Sequence, residues 1–167
     1  MSKRSIAVLT LGLALQGPAA LAQSEGWSTG YQMGTFYAHV SGADGTRLTF
    51  YCESATAPRA NLVAGGLYLI VSLPKAQLDK IVSTIEIVGD DEAVSVPVSA
   101  RPGDEEIELV WAPHREWGFV PMEGLVSRLR EARRIELHAA GISISLPVEG
   151  AAEALADYPL RCNKRSS

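Results

Sequence analysis

The chain is poor in the residue types that usually announce chemistry. It has two cysteines and three histidines in 167 residues, and neither type is clustered. Cys52 and Cys162 form no Cys-x-x-Cys pair, and His39, His114 and His138 have no second ligand at metal spacing, so no zinc motif is encoded. Gly-x-Ser-x-Gly, His-Glu-x-x-His, a P-loop and a helix-opening Gly-x-Gly-x-x-Gly are all missing. The acidic runs Asp90-Asp91-Glu92 and Asp104-Glu105-Glu106 lack the alternating oxygens, central glycine and distal glutamate of an EF-hand loop, and read as solvated turns. No cofactor and no metal are expected. Paired carboxylates brought together from distant segments stay open, because such a site leaves no spacing signature.

Basic charge and long apolar runs are also scarce. Lys3 and Arg4, the apolar stretch Ile6 to Leu15 and Ala20-Leu21-Ala22 read as a secretory signal peptide over residues 1–22, with too short an apolar part to span a bilayer. Without Lys3 and Arg4, the fifteen basic residues fall to 13 against 19 acidic ones, a balance of −6. That argues against nucleic acid and against an anionic membrane surface as partners. No later run is apolar and long enough to cross a membrane. The remainder, residues 23–167, has the size of a single domain with a real core.

Two cysteines in an exported chain are expected to be oxidised to one bond, Cys52–Cys162. The enclosed loop exceeds a hundred residues, for which chain entropy gives roughly 4–5 kcal/mol as an upper expectation.

What is present is period-2 alternation broken by turn residues. Leu48, Phe50 and Cys52 share one strand face and Arg47, Thr49 and Tyr51 the other, and Asp44-Gly45 sits at the tip of a hairpin over 36–52. Leu67 to Leu73 is apolar on both faces, as a central strand would be. Pro74 starts a candidate helix to about Val82. Residues 84–98 form a hairpin across the acidic turn, and Pro97 marks its second strand as an edge because proline cannot donate to a ladder.

Ile107, Leu109 and Trp111 line one face of a further strand. A helix over 124–133 buries Leu125, Leu129 and Ala132 and turns its arginines outward toward local carboxylates. Ile135 and Leu137 lead through Ala139-Ala140-Gly141 into a closing strand 142–146, followed by an alanine-rich helix near 151–158. The fold expected is mainly β: an antiparallel sheet, sandwich or open barrel, with two or three short helices at its margins.

One segment has the composition of a binding surface. Trp111 to Phe119 gathers two tryptophans, a phenylalanine, a histidine and an arginine, making His114, Arg115, Trp117 and Phe119 candidate contact residues. Core packing is the competing account, favoured for Trp111 and evenly matched for Trp117.

The signal peptide, the early Trp27, the strand Ile144-Ser145-Leu146-Pro147-Val148 and the alanine-rich Gly150–Leu155 resemble exported proteobacterial proteins of the invasion-associated locus B type. That family usually carries an early tryptophan–cysteine segment and further cysteines, which this chain lacks. The resemblance implies a β-rich periplasmic protein tied to the envelope or to host interaction, with no catalytic residues to carry over. Phe50-Tyr51-Cys52 and Cys162 also resemble periplasmic lysozyme inhibitors, although Ser41-Gly42-Ala43 lies before the cysteine rather than in an inhibitory loop.

The expectation is a non-enzymatic periplasmic or secreted binding or accessory protein with a protein partner in the envelope. A periplasmic hydrolase with a site assembled from distant segments, or an enzyme inhibitor, is the alternative.

Overall fold

Three strands build the first third: β1 (Ser28–Gln32), β2 (Thr35–Ser41) and β3 (Arg47–Glu53). They are seen in a computed structural model, which describes residues 26–32, 35–53, 67–78, 82–111 and 122–156. The β2–β3 hairpin pairs Phe36 with Cys52 and Ser41 with Arg47, as the alternation predicts. Its turn is closed by Asp44, whose carboxylate accepts the Thr46 N–H at 3.0 Å and the Thr46 hydroxyl at 3.0 Å, while Gly45 takes φ +87°. A short polar side chain bonding its own backbone two residues on is the usual way such a turn is fixed.

β4 (Leu67–Pro74) lies between β3 and β8 (Glu106–Trp111), which explains its apolar character. Leu69, Val71 and Leu73 are fully buried on one face, and Tyr68 and Ser72 are buried on the other. The described part of the candidate helix over 74–82 is not an α-helix, and residues 79–81 lie outside the described residues. Its first residues make a single 3-10 turn, Lys75–Gln77, and Leu78 is already extended at φ −116°. The cause is tertiary: Pro74 still pairs with Glu106, and the Lys75 N–H donates to the Glu105 carbonyl at 2.9 Å, so the chain leaves in the strand direction.

A second set of strands follows: β5 (Thr84–Gly89), β6 (Glu92–Pro97), β7 (Ser99–Pro102), and, after α1 (Met122–Glu131), β9 (Ile135–Ala139) and β10 (Ile142–Leu146). The β9–β10 connection has Ala140 at φ 52° and Gly141 at φ 88°, the two positive values of a tight hairpin turn. α2 (Ala151–Ala154) is a single turn, shorter than the expected 151–158, of which 157–158 lie outside the described residues.

The strands form two antiparallel sheets, β1-β2-β3-β4-β8-β7 and β10-β9-β5-β6. β6 is an edge, as Pro97 requires. The inner faces meet in one core that holds Leu48, Phe50, Val71 and Leu109 from the larger sheet with Ile85, Ile87, Ile135 and Leu137 from the smaller. Among the described residues the sheets close into no barrel, and the architecture is mainly β with helices at the margin. α1 adds Met122, Leu125, Val126 and Leu129 to the same core, whereas Ala132 lies just beyond the helix and is half-buried.

Trp27 joins the two ends of the described chain. Its N–H donates to the Glu149 carbonyl at 2.8 Å, and its indole N–H donates to the Pro147 carbonyl at 3.0 Å. Its ring stacks on Phe50 from β3. The segment before β1 is thereby fastened to the segment after β10, which closes the sandwich along one side.

Candidate functional site

The strand register separates the larger sheet into an apolar inner face and a polar outer one. Ala38 and Val40 point inward, so Tyr37, His39 and Ser41 of β2 point outward, level with Tyr51, Thr49 and Arg47 of β3. Ser28, Gly30 and Gln32 of β1 fall on the same side by their pairing with β2. A cleft of about 400 Å³ opens on this outer face, lined by Gly26, Gln32, Tyr37, His39, Ser41, Arg47, Thr49 and Tyr51, with Ser28 reaching it only through its contact to His39.

Gly30 sets how the first two strands meet. It sits directly opposite Tyr37, and a Cβ there would run into the Tyr37 ring and hydroxyl. The missing side chain therefore leaves room for the tyrosine to lie over β1, an aromatic covering a glycine across the ladder. Tyr37 in turn lies 5.6 Å from the His39 ring and 6.1 Å from the Tyr51 ring, the latter tilted by 52°. Ser28 Oγ is 3.1 Å from His39 Nε2, donating or accepting with the imidazole tautomer. Burial, and then the nearby Arg47 guanidinium, hold His39 below the ordinary imidazole value.

The described lining of the site holds one cation, a half-buried imidazole held toward its neutral form, two tyrosines and several hydroxyl or amide groups. Among the described residues that line it, none is a carboxylate. A serine beside a histidine evokes a nucleophile and base, but catalysis also needs a third group to orient the imidazole. Here the other ring nitrogen, Nδ1, lies 3.4 Å from the same Ser28 hydroxyl.

The other titratable groups are elsewhere. His138 is on the outer face of the smaller sheet, 3.1 Å from Glu136 and 3.8 Å from Glu86, so His39 and His138 occupy opposite sides of the sandwich. Among the described residues no group of three or more His, Cys, Asp or Glu is placed to hold a metal ion. The acidic turn 90–92 is more than solvated: Asp90 Oδ1 accepts the N–H groups of Arg133 at 2.9 Å and Arg134 at 3.1 Å, and so docks the hairpin end on the chain leaving α1. Arg130 pairs with Glu131 at 3.1 Å and Arg134 with Glu136 at 3.7 Å, local pairs of the kind expected of this arginine cluster, whereas Arg128–Glu92 at 2.8 Å and Arg134–Asp91 at 3.5 Å reach across to the distant acidic turn.

The segment expected to bind, with His114, Arg115, Trp117 and Phe119, lies outside the described residues, between β8 and α1. Trp111 points inward and is buried, as its strand face predicts. Residues 1–22 and Cys162 also lie outside. Cys52 is 3% exposed on the inner face of β3, and no free cysteine occurs among the described residues. Sequence reading placed Arg47, Thr49 and Tyr51 on the outward face but did not single them out. The signal was two tyrosines, a histidine and an arginine on the outward positions of one hairpin.

The geometry defines a two-sheet antiparallel β protein with a polar, aromatic cleft on the outer face of its larger sheet. The family model of YfjT matches residues 25–155, and the chain belongs to the YfjT family. No curated protein and no solved structure matches it. No helix among the described residues is long and apolar enough to cross a membrane.

Proposed function

We propose that this protein is a non-enzymatic binding module of the cell envelope, exported by its N-terminal leader and stapled by a Cys52–Cys162 disulfide. The observation that carries this reading is the cleft formed by β1, β2 and β3. It gathers groups that recognise a ligand, Arg47, Tyr37, Tyr51, Gln32 and Thr49, around a Ser28–His39 pair that has no orienting carboxylate among the described residues lining the cleft. Rigid strands carry all of these side chains, which favours recognition of a fixed shape. The buried position of Cys52 fits a structural sulfur rather than a reactive one. His114, Arg115, Trp117 and Phe119, outside the described residues, are proposed on their composition alone as contacts for a protein partner, and the likeness to invasion-associated locus B proteins supports the envelope as its place.

The test is capture from envelope extract on the immobilised, oxidised protein. Components held by the wild type are to be lost by folded Arg47→Gln and Arg115→Ala/Trp117→Ala variants. Turnover of an ester, amide or glycoside that disappears in Ser28→Ala would instead establish the hydrolase alternative. Retention that no variant changes would remove both surfaces from consideration.

A further inference from the structure

We infer that the β1–β3 cleft binds a carboxylate-bearing sugar, with Arg47 taking the carboxylate and the Tyr37–Tyr51 wall taking the ring. This rests on reading that face as the contact surface, and adds the chemical class of what it holds.

The charge argument comes first. Arg128, Arg130 and Arg134 at the other end of the molecule each face a carboxylate within 4 Å. Arg47, like Arg101 and Arg133, has no ion pair among the described residues, although the chain carries 19 acidic residues to 15 basic ones. What sets it apart from Arg101, whose hollow is lined by Asp104, Glu105, Glu106 and Glu108, is a cleft with no carboxylate among its described lining. In such a chain a guanidinium left open within a cleft free of described carboxylates is a place for an anion. His39 beside it is held toward neutrality, so the cleft offers one positive charge and matches a monoanion. A guanidinium binds a carboxylate through two parallel N–H donors, which fixes orientation as well as charge.

The walls argue for a ring. Tyr37 and Tyr51 stand 6.1 Å apart and inclined, presenting apolar ring faces with hydroxyls at their tips. A pyranose has the complementary pattern, C–H groups on its face and hydroxyls around its edge. Gln32, Ser41 and Thr49 supply donors and acceptors for that edge. The cleft volume of about 400 Å³ lies at the lower end of small-ligand sites and takes a mono- or disaccharide. A bare phosphate would leave the tyrosine wall unused, and a neutral sugar would leave Arg47 without a partner.

Glucuronate is the probe, with glucose as its neutral counterpart and inorganic phosphate as an anion without a ring. Each is titrated into 15N-labelled protein and followed by amide shifts, alongside Arg47→Gln and Tyr51→Ala. Glucuronate is expected to shift amides in β1, β2 and β3, with glucose and phosphate at least tenfold weaker. Arg47→Gln is expected to weaken glucuronate at least tenfold while leaving the thermal midpoint within a degree or two. Equal affinity for glucose, tighter phosphate, or an unaffected Arg47→Gln would each overturn the assignment. If no probe moves these amides while envelope capture still depends on Arg47, the sugar is wrong and the binding reading stands. If capture is also indifferent to Arg47, both fall.

Discussion

Trp27 stacks on Phe50 with ring centroids 6.2 Å apart and planes 16° from parallel, and the same indole donates to the Pro147 carbonyl. One side chain thus ties the start of the described chain, the middle of the larger sheet and the exit from β10. Trp27→Ala should cost about 3–5 kcal/mol, the range for emptying a buried aromatic site. Trp27→Phe keeps a ring on Phe50 but leaves the Pro147 carbonyl without its indole donor, and should cost about 0.5–1.5 kcal/mol. Urea unfolding of the two variants measures both. A Trp27→Ala loss near that of Trp27→Phe would mean that the stack contributes little.

Gly30 and Tyr37 should show strong coupling. The Gly30 backbone is open to other residues, so the cost of Gly30→Ala comes from the tyrosine ring that already occupies the space. Alone it should destabilise by about 1–3 kcal/mol, as overpacking does. In a Tyr37→Ala background the same change should be nearly free, since the obstruction is gone and alanine restricts the unfolded chain more than glycine. A double-mutant cycle reads the difference directly. Additive costs would show that Tyr37 swings aside without penalty.

These two contacts mark where sequence legibility ended. The hairpin 36–52, the central β4, the edge set by Pro97 and the tight turn at Ala140-Gly141 were readable because alternation and turn chemistry are local properties. The helix expected to start at Pro74 is already broken at Leu78 for a non-local reason, the bond from Lys75 to Glu105 that draws the chain along the sheet. Asp90 looked like one more solvated turn residue, since its partners at Arg133 and Arg134 arrive 43 and 44 residues later. The cleft was half legible. Outward residues of β2 and β3 were countable, but only the register that sets Gly30 against Tyr37 and Tyr37 against Tyr51 assembles them with β1.

The proposed Cys52–Cys162 bond makes stability redox-dependent. Cys52 is packed on the core face of β3, so replacing it alone mixes loss of the bond with loss of packing. Thiol reduction of the wild type and Cys162→Ser separate the two effects. Each should lower stability by about 2–5 kcal/mol, the usual loss for a native disulfide. Non-reducing peptide mapping should join the Cys52 and Cys162 peptides. An unchanged melting curve after verified reduction would count against a staple.

His39 gives the larger sheet a pH dependence with a defined sign. Ser28 faces it from β1, Tyr37 flanks it on β2, and Arg47 and Thr49 approach from β3, so no described carboxylate is present to favour the imidazolium. Burial first and Arg47 second lower its folded value, whereas the unfolded chain titrates near about 6.5. Between those values the unfolded state binds more protons, so stability rises with pH across the window. Above about 6.5 the imidazole is neutral in both states and the slope disappears. As pH falls below that point the folded protein loses stability, and the loss levels off only once His39 is protonated in the folded state too. His39→Gln, which keeps a polar partner for Ser28, should remove this slope while leaving the carboxylate titrations at lower pH in place. Urea unfolding of both proteins from pH 5 to pH 8 should give curves that run parallel at the alkaline end and converge or cross toward the acid end. Parallel curves throughout would place His39 in ordinary contact with solvent, and the cleft would then be a wetter, more open surface than its geometry implies.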